Sequence, residues 1–192
     1  MDRRAELTEG ALDYVLSNGL VGLSLRPLAA ALDTSDRMLV YHFGSKERLV
    51  SAVLDRAQRR FSASLELPGP PPSSLADLVD GMWSALQTPV AAQITRLYLE
   101  TCVLAVQDPV RWRDAPERLR GPWRTPLRDG LVAFGIPAPQ AGAFADLILD
   151  TFDGLALRRL TAEDPTPVHA AAAIFAGLLA AQPSASQIPR TG

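Results

Sequence analysis

The residues best suited to chemistry at a macromolecular surface lie close together in this chain. Arg37, Met38, Tyr41 and His42 fall within two turns of a would-be helix, and Lys46 follows a Gly44-Ser45 pair. A guanidinium at the outer N-terminal end of a helix can give two hydrogen bonds to guanine O6 and N7. Tyr41 and His42 can donate to phosphates or touch base edges, and Lys46 beside free backbone N–H groups suits a phosphate. Ser35 precedes the cluster, and Arg26 lies one helix earlier, where it can bond phosphate or sit in solvent. These residue types in this order suit a surface that reads duplex DNA. An ordinary helical hairpin with solvated side chains has the same outline, because short helix pairs joined by a polar turn are common.

Other chemistries find little support. Cys102 is the one cysteine, which excludes an intrachain disulfide framework and a multi-cysteine zinc site. It lies in the apolar stretch 97–106 with no histidine near it in sequence, so it reads as core or pocket wall and not as a nucleophile. His42 and His169 are far apart and no HExxH spacing occurs, so neither a metal nor a cofactor is expected. Asp146, Asp150 and Asp153 recur at helical spacing, but a solvated helix face explains them better than a carboxylate site. With no paired acid and base, the chain does not read as an enzyme.

Two further groups point to binding. Trp83, Tyr98, Cys102, Trp112, Trp123 and Phe152 are candidates for the wall of a partly apolar small-molecule site, with ordinary core packing as the alternative. Arg96 and Glu100, on the same helix as Tyr98, can anchor a polar group or simply pair at i,i+4. Phe144, Ile148, Thr151 and Leu155, with Ala173, Gly177 and Ala180, are candidates for a dimer interface. The small residues there allow close helix approach, with packing inside one chain as the alternative.

The elements that must position these residues are all helical. Alternating runs are short and β-branched residues sparse, so the fold class is all-α. A first helix is expected over 4–18, stopped by Gly19, and a second over 25–32, capped by Ser24. Since Pro27 has no N–H, the Ser24 hydroxyl can cap only the Arg26 amide. A polar tetrad, Asp33-Thr34-Ser35-Asp36, leads into a third helix over 36–43, capped by Ser35, with Leu39 and Phe43 inward. Ser45 caps a fourth helix with Leu49, Val53, Ala57, Phe61 and Leu65 along one stripe. Pro68-Gly69-Pro70-Pro71-Pro72 is the strongest boundary signal. Beyond it helices are expected at 73–87, 89–107, 114–134, 138–160 and 166–181, the third of them kinked or divided at Gly121-Pro122 and Pro126. The domains follow: a helix-turn-helix head over 1–48, a connecting helix over 49–67, a helical ligand-binding and dimerisation domain over 68–182, and a disordered tail over 183–192.

Composition narrows the classes. Hydrophobic residues make up 47% of the 192 residues, enough for a packed core, and the net charge of −2 announces no overall basic field. Residues 1–60 carry nine basic and eight acidic side chains, so the head is slightly basic and the remainder acidic. The longest apolar run, 170–181, is too short to span a bilayer, which needs about 20 residues. The first twelve residues are charged and lack the apolar core of a secretory signal, so the cytoplasm is the expected location.

Residues 4–54 resemble the DNA-binding domain of TetR-family transcriptional regulators. The resemblance is carried by 11–15 (ALDYV) with Gly19, by 23–29 (LSLRPLA), and most specifically by 41–49 (YHFGSKERL). It covers about a quarter of the chain. It implies a homodimeric regulator, a repressor released from a pseudo-palindromic DNA operator by a small-molecule effector. The alternatives are a helical small-molecule-binding protein or a protein-interaction adaptor without DNA binding. The chain departs from the family pattern at four points. Asp33 stands for the usual turn glycine, Arg37 and Met38 stand for a small residue and a threonine, and Val40 stands for a phosphate-contacting tyrosine. Arg37 is therefore expected to take over part of the DNA contact.

Overall fold

A computed structural model describes residues 2–64 and 72–181. Leu65, the proline-rich boundary up to Pro71 and the tail from 182 onward lie outside the described residues, as does the Ala180 side chain. Ten helices and no strand occur among the described residues: α1 Arg3–Asn18, α2 Leu25–Ala31, α3 Asp36–Phe43, α4 Lys46–Ser64, α5 Leu75–Ala85, α6 Pro89–Gln107, α7 Pro109–Trp112, α8 Ala115–Ala133, α9 Ala138–Thr161 and α10 Thr166–Ala180. The all-α expectation holds, and α3 and α6 have the limits that periodicity gave. None of the described helices is long and apolar enough to cross a membrane.

The chain divides into two compact units. One comprises the described parts of Met1–Glu66 with Gln93–Arg120, the other those of Leu67–Ala92 with Gly121–Gly192. Helices α6 and α8 therefore contribute residues to both.

In the first unit α1 packs on α2, α3 and α4, and α3 packs on α2 and α4. Leu7, Ala11, Leu12 and Val15 bury one face of α1, Leu28 and Ala29 that of α2, and Leu39 and Phe43 that of α3. Leu49, Val53, Ala57 and Phe61 are buried along α4, as their spacing predicts. Polar ties reinforce the packing of α1 on α4. Arg56 and Arg60 both donate to Glu9, and Arg60 donates to Asp13 at 2.8 Å.

The turn between α2 and α3 rests on Asp33. The Asp33 N–H donates to the Ala30 carbonyl at 3.3 Å and the Thr34 N–H to the Ala29 carbonyl at 3.0 Å. This double closure of a helix end puts its central residue in the left-handed region. Asp33 has φ 49°, the one positive value at a non-glycine residue among those described.

In the second unit α10 packs against α5 and α9. Its core joins Val79 and Trp83 of α5, Leu127 and Leu131 of α8, the stripe Ala141, Ala145, Ile148 and Phe152 of α9, and Val168, Ala172, Ala176 and Leu179 of α10. Two local expectations change. Pro122 and Pro126 lie inside α8, which is not divided there. Both are exposed and four residues apart, so the lost N–H groups fall on one solvated side. Asp108-Pro109 is not a plain separator either. The Asp108 side chain accepts the Arg111 N–H at 3.2 Å, and Pro109 opens the short helix α7.

Candidate nucleic-acid interface

The geometry of α3 follows from its two ends. Ser35 caps it, the hydroxyl oxygen accepting the Met38 N–H at 3.2 Å, and Asp36 lies in the first turn, its carboxylate accepting the Arg37 N–H at 2.9 Å. Gly44 ends it with φ 82° and donates its N–H to the Val40 carbonyl at 2.7 Å. A Cβ at Gly44 would be strained by that φ and would sit 3.2 Å from the Arg48 guanidinium. Ser45 then caps α4 by accepting the Arg48 N–H at 3.2 Å. The helix is thus short, defined at both ends, and followed at once by the first turn of α4, where Lys46 stands.

Leu39 and Phe43 bury the inner side of α3, so the opposite side must face outward. Tyr41 is 78% exposed and Met38 41%. Arg37 is exposed, while His42 and Lys46 are half-buried. The Tyr41 and His42 rings meet edge to face at 5.2 Å. Arg26 is exposed at the start of α2. The Ser35 oxygen is engaged in the cap, which leaves only its O–H to donate elsewhere. Six of the seven candidates therefore lie in α2, α3 and the start of α4, and Ser35 is the cap just before α3. Val40, 44% exposed, joins the same surface. Sequence reasoning passed over it because it was measured against the tyrosine that it replaces. One expected cap fails: Ser24 precedes α2 but makes no side-chain cap bond.

Three polar ties hold this head within its own unit. The Leu20 and Val21 N–H groups both donate to a Glu100 carboxylate oxygen, Val21 at 3.1 Å. Arg96 pairs with the same carboxylate at 3.1 Å, the i,i+4 pairing that their spacing allows. Gly19 is required beside it. A Cβ there would meet the Glu100 carboxylate at 3.1 Å, at a φ of 87°. Arg111 pairs with Glu47 at 3.3 Å and Arg118 with Asp55 at 3.0 Å. Glu47 is held below the usual carboxylate range by its own backbone N–H and the Ser45 hydroxyl, with Arg111 adding to the effect.

The candidate small-molecule residues do not form one group within either unit. Tyr98, Cys102 and Trp112 belong to the first unit, and Trp83, Trp123 and Phe152 to the second. Trp83 and Phe152 do meet, with ring centroids at 5.7 Å, and the Trp83 indole N–H donates to His169 Nδ1 at 3.3 Å. Phe175 adds an edge-to-face contact on Phe152 at 6.0 Å. No group of three or more metal-ligating side chains occurs among the described residues. Asp146 takes two hydrogen bonds from Arg124, at 2.6 and 2.8 Å.

Among the interface candidates Ile148 must be corrected. It is wholly buried in its own chain, on the inward stripe of α9, and presents nothing outward. Phe144 and Leu155 pack partly against the same core, and the Thr151 hydroxyl donates to the Leu147 carbonyl at 2.7 Å. Ala173 and Gly177 are exposed. Between and beside them Ile174 and Leu178 are 65% and 62% exposed, and Leu147 and Leu157 of α9 are also exposed.

Solved structures match nearly the whole of this architecture. A TetR transcriptional regulator from Legionella pneumophila superimposes with a TM-score of 0.72, covering 94% of this chain and 98% of its own, at 17% identity. The chain has the TetR-family fold. The multidrug binding protein EbrR, complexed with ethidium, shares it with a TM-score of 0.67, over 93% of this chain and 99% of its own, at 23% identity. By sequence, the HTH-type transcriptional repressor DrrR1 of Streptomyces coeruleorubidus is 34% identical over 92 residues. That stretch is 48% of this chain and 30% of the repressor, so the chain spans less than a third of that relative's length. No family model matches the chain. The TetR-family likeness seen in residues 4–54 thus extends, as a fold, over both units.

Proposed function

We propose that this chain is a ligand-responsive, DNA-binding transcriptional regulator, a repressor that leaves a pseudo-palindromic operator when a small molecule binds among its C-terminal helices. The observation that carries the reading is the surface of α3. Arg37, Met38 and Tyr41 face solvent on a helix anchored from behind by Leu39 and Phe43, with Lys46 at the first position of α4. A helix so mounted fits a major groove, and two copies in a symmetric dimer meet successive grooves one helical turn apart. Arg37 reads guanine, Tyr41, His42, Lys46 and Arg26 bond phosphates or base edges, and Ser35 holds the helix start. The fold shared with an ethidium-bound multidrug binding protein, and the repressor name of the sequence relative, favour a partly apolar effector and a repressing role. Linkage then requires that DNA weaken effector binding by the same factor as effector weakens DNA binding. The protein works in the cytoplasm and performs no chemistry on either partner.

The test is a fluorescence-anisotropy titration of the full chain against duplex DNA selected from a random library, repeated across salt concentrations. Steep loss of affinity with salt supports the reading, since each phosphate contact contributes roughly −0.9 to the logarithmic slope. Arg37→Ala should lower affinity and alter the selected sequence. Absence of any duplex bound above background would overturn the proposal.

A further inference from the structure

Arg4 and Arg59 have no part in the surface of α3, yet they face one another across a cleft of the head. An open cleft of about 260 Å³ is lined by Asp2, Arg4 and Thr8 from the start of α1 and by Ala52, Asp55 and Arg59 from α4. Both of its carboxylates are engaged. Asp2 caps α1 by accepting the Arg4 N–H at 3.2 Å, and Asp55 accepts from Arg118 at 3.0 and 3.3 Å. Arg4 and Arg59 are exposed, and neither has an ion pair among the described residues. The Arg4 guanidinium lies over the Phe43 ring, 5.4 Å from its centroid. A guanidinium stacked on a ring is held in place while the N–H groups at its edge stay open to a ligand. Arg48, one turn before Ala52 on α4, adds a third cation without an ion pair near the end of α3, its Nη1 standing 3.2 Å from where a Cβ of Gly44 would be.

We propose that this cleft is an anion site that takes a phosphate group between the Arg4 and Arg59 guanidiniums. The inference goes beyond the DNA-binding reading, because the group can belong to the duplex backbone beside a half-site or to a free phosphorylated small molecule. The cleft is smaller than the roughly 300–1,000 Å³ of sites that enclose drug-sized ligands, so it suits a compact head group. Two planar forks from different helices meet a tetrahedral phosphate on separate oxygens, whereas a planar carboxylate is matched by one fork. The neighbouring acids do not cancel the attraction. The charge of Asp55 is offset by Arg118, and that of Asp2 by the positive N-terminal end of α1. Arg4 and Arg59, with Arg48 beside them, leave the cleft positive.

Inorganic phosphate titrated into the full chain tests the site, at constant ionic strength made up with chloride and followed by the amide proton and nitrogen shifts. Saturable shifts are expected at residues 2–8 and 52–59, the two walls of the cleft. Arg59→Ala should weaken phosphate binding about tenfold, the worth of a charge-assisted hydrogen bond, and Arg59→Glu should abolish it. Arg59 is exposed and has no ion pair among the described residues, so the thermal midpoint of Arg59→Ala should match the parent's. A second arm identifies the source of the phosphate. If the duplex backbone supplies it, the double variant Arg4→Ala, Arg59→Ala lowers the salt slope on a selected duplex by about 1.8, which is 0.9 for each of two subunits. An unchanged slope beside saturable phosphate shifts assigns the cleft to a free phosphorylated ligand. Absence of saturable shifts, or shifts that survive Arg59→Glu, overturns this inference and leaves the DNA-binding reading standing. Failure to select any duplex overturns that reading alone, since the phosphate titration needs no DNA.

Discussion

Asp33 shows how one residue trades backbone comfort for a turn. Its φ of 49° lies where a side chain is disfavoured, and aspartate tolerates it better than most residues because its short carboxylate can bond locally. Asp33→Gly should therefore stabilise the head by about 0.5–1 kcal/mol, the relief of strain less the extra freedom glycine has when unfolded. Urea unfolding should show a higher midpoint with an unchanged slope. An unchanged or lower midpoint would mean that the Asp33 side chain contributes a bond worth as much as the strain. The same scale separates what residue types reveal from what they hide. The outward direction of Arg37, Met38 and Tyr41 follows from the i,i+4 spacing of Leu39 and Phe43. Nothing in the sequence joins Glu100 to Leu20 and Val21, because a contact between residues 80 positions apart leaves no local pattern.

Capping decides how well the head's elements are defined, and two serines in equivalent places differ. Ser35 makes its cap bond to Met38, whereas Ser24 makes none. Ser35→Ala should cost about 1 kcal/mol of stability and Ser24→Ala only a few tenths, measured by denaturant unfolding. Equal losses would mean that Ser24 caps α2 in solution. The packing of α1 on α4 supplies a pH response. The hydrogen bond from Arg56, reinforced by Arg60, holds the Glu9 carboxyl below its ordinary value of 4.5. A carboxyl lowered on folding adds stability above its unfolded value, and that stability drains away as pH falls through the lowered folded value. The midpoint of unfolding should thus drop with acid below pH 4.5, and Glu9→Gln should flatten that part of the curve, whereas a parallel curve would assign the acid sensitivity to other carboxylates. Element boundaries were legible wherever glycine or a polar tetrad interrupted a periodic stripe. They were less so at Asp108-Pro109, where the same dipeptide can end one helix or open another.

For the molecule as a whole, the difficulty lies in α9 and α10, which are apolar on more than one side. On α9 the buried stripe is mostly alanine, and Leu147 on the outer side is as apolar as Ile148 on the inner, so periodicity cannot tell the core from an interface. The fold separates them. Ile148 is core, while Leu147 and Leu157 on α9, and Ile174 and Leu178 on α10 with the small residues Ala173 and Gly177, remain exposed. A surface of this kind suits a second copy of the chain, because a two-fold axis sets each patch against itself. The two isoleucines should then respond differently. Ile148→Ala, which leaves a cavity in one subunit, should lower folding stability by about 2–4 kcal/mol. Ile174→Asp should instead weaken dimerisation roughly a thousandfold, since each of two symmetry-related sites loses about 2 kcal/mol of apolar burial. Sedimentation equilibrium would read the shift to monomer, and DNA affinity should fall with it, because one head alone meets one groove. An Ile174→Asp protein that remains dimeric would place the contact between copies on another face.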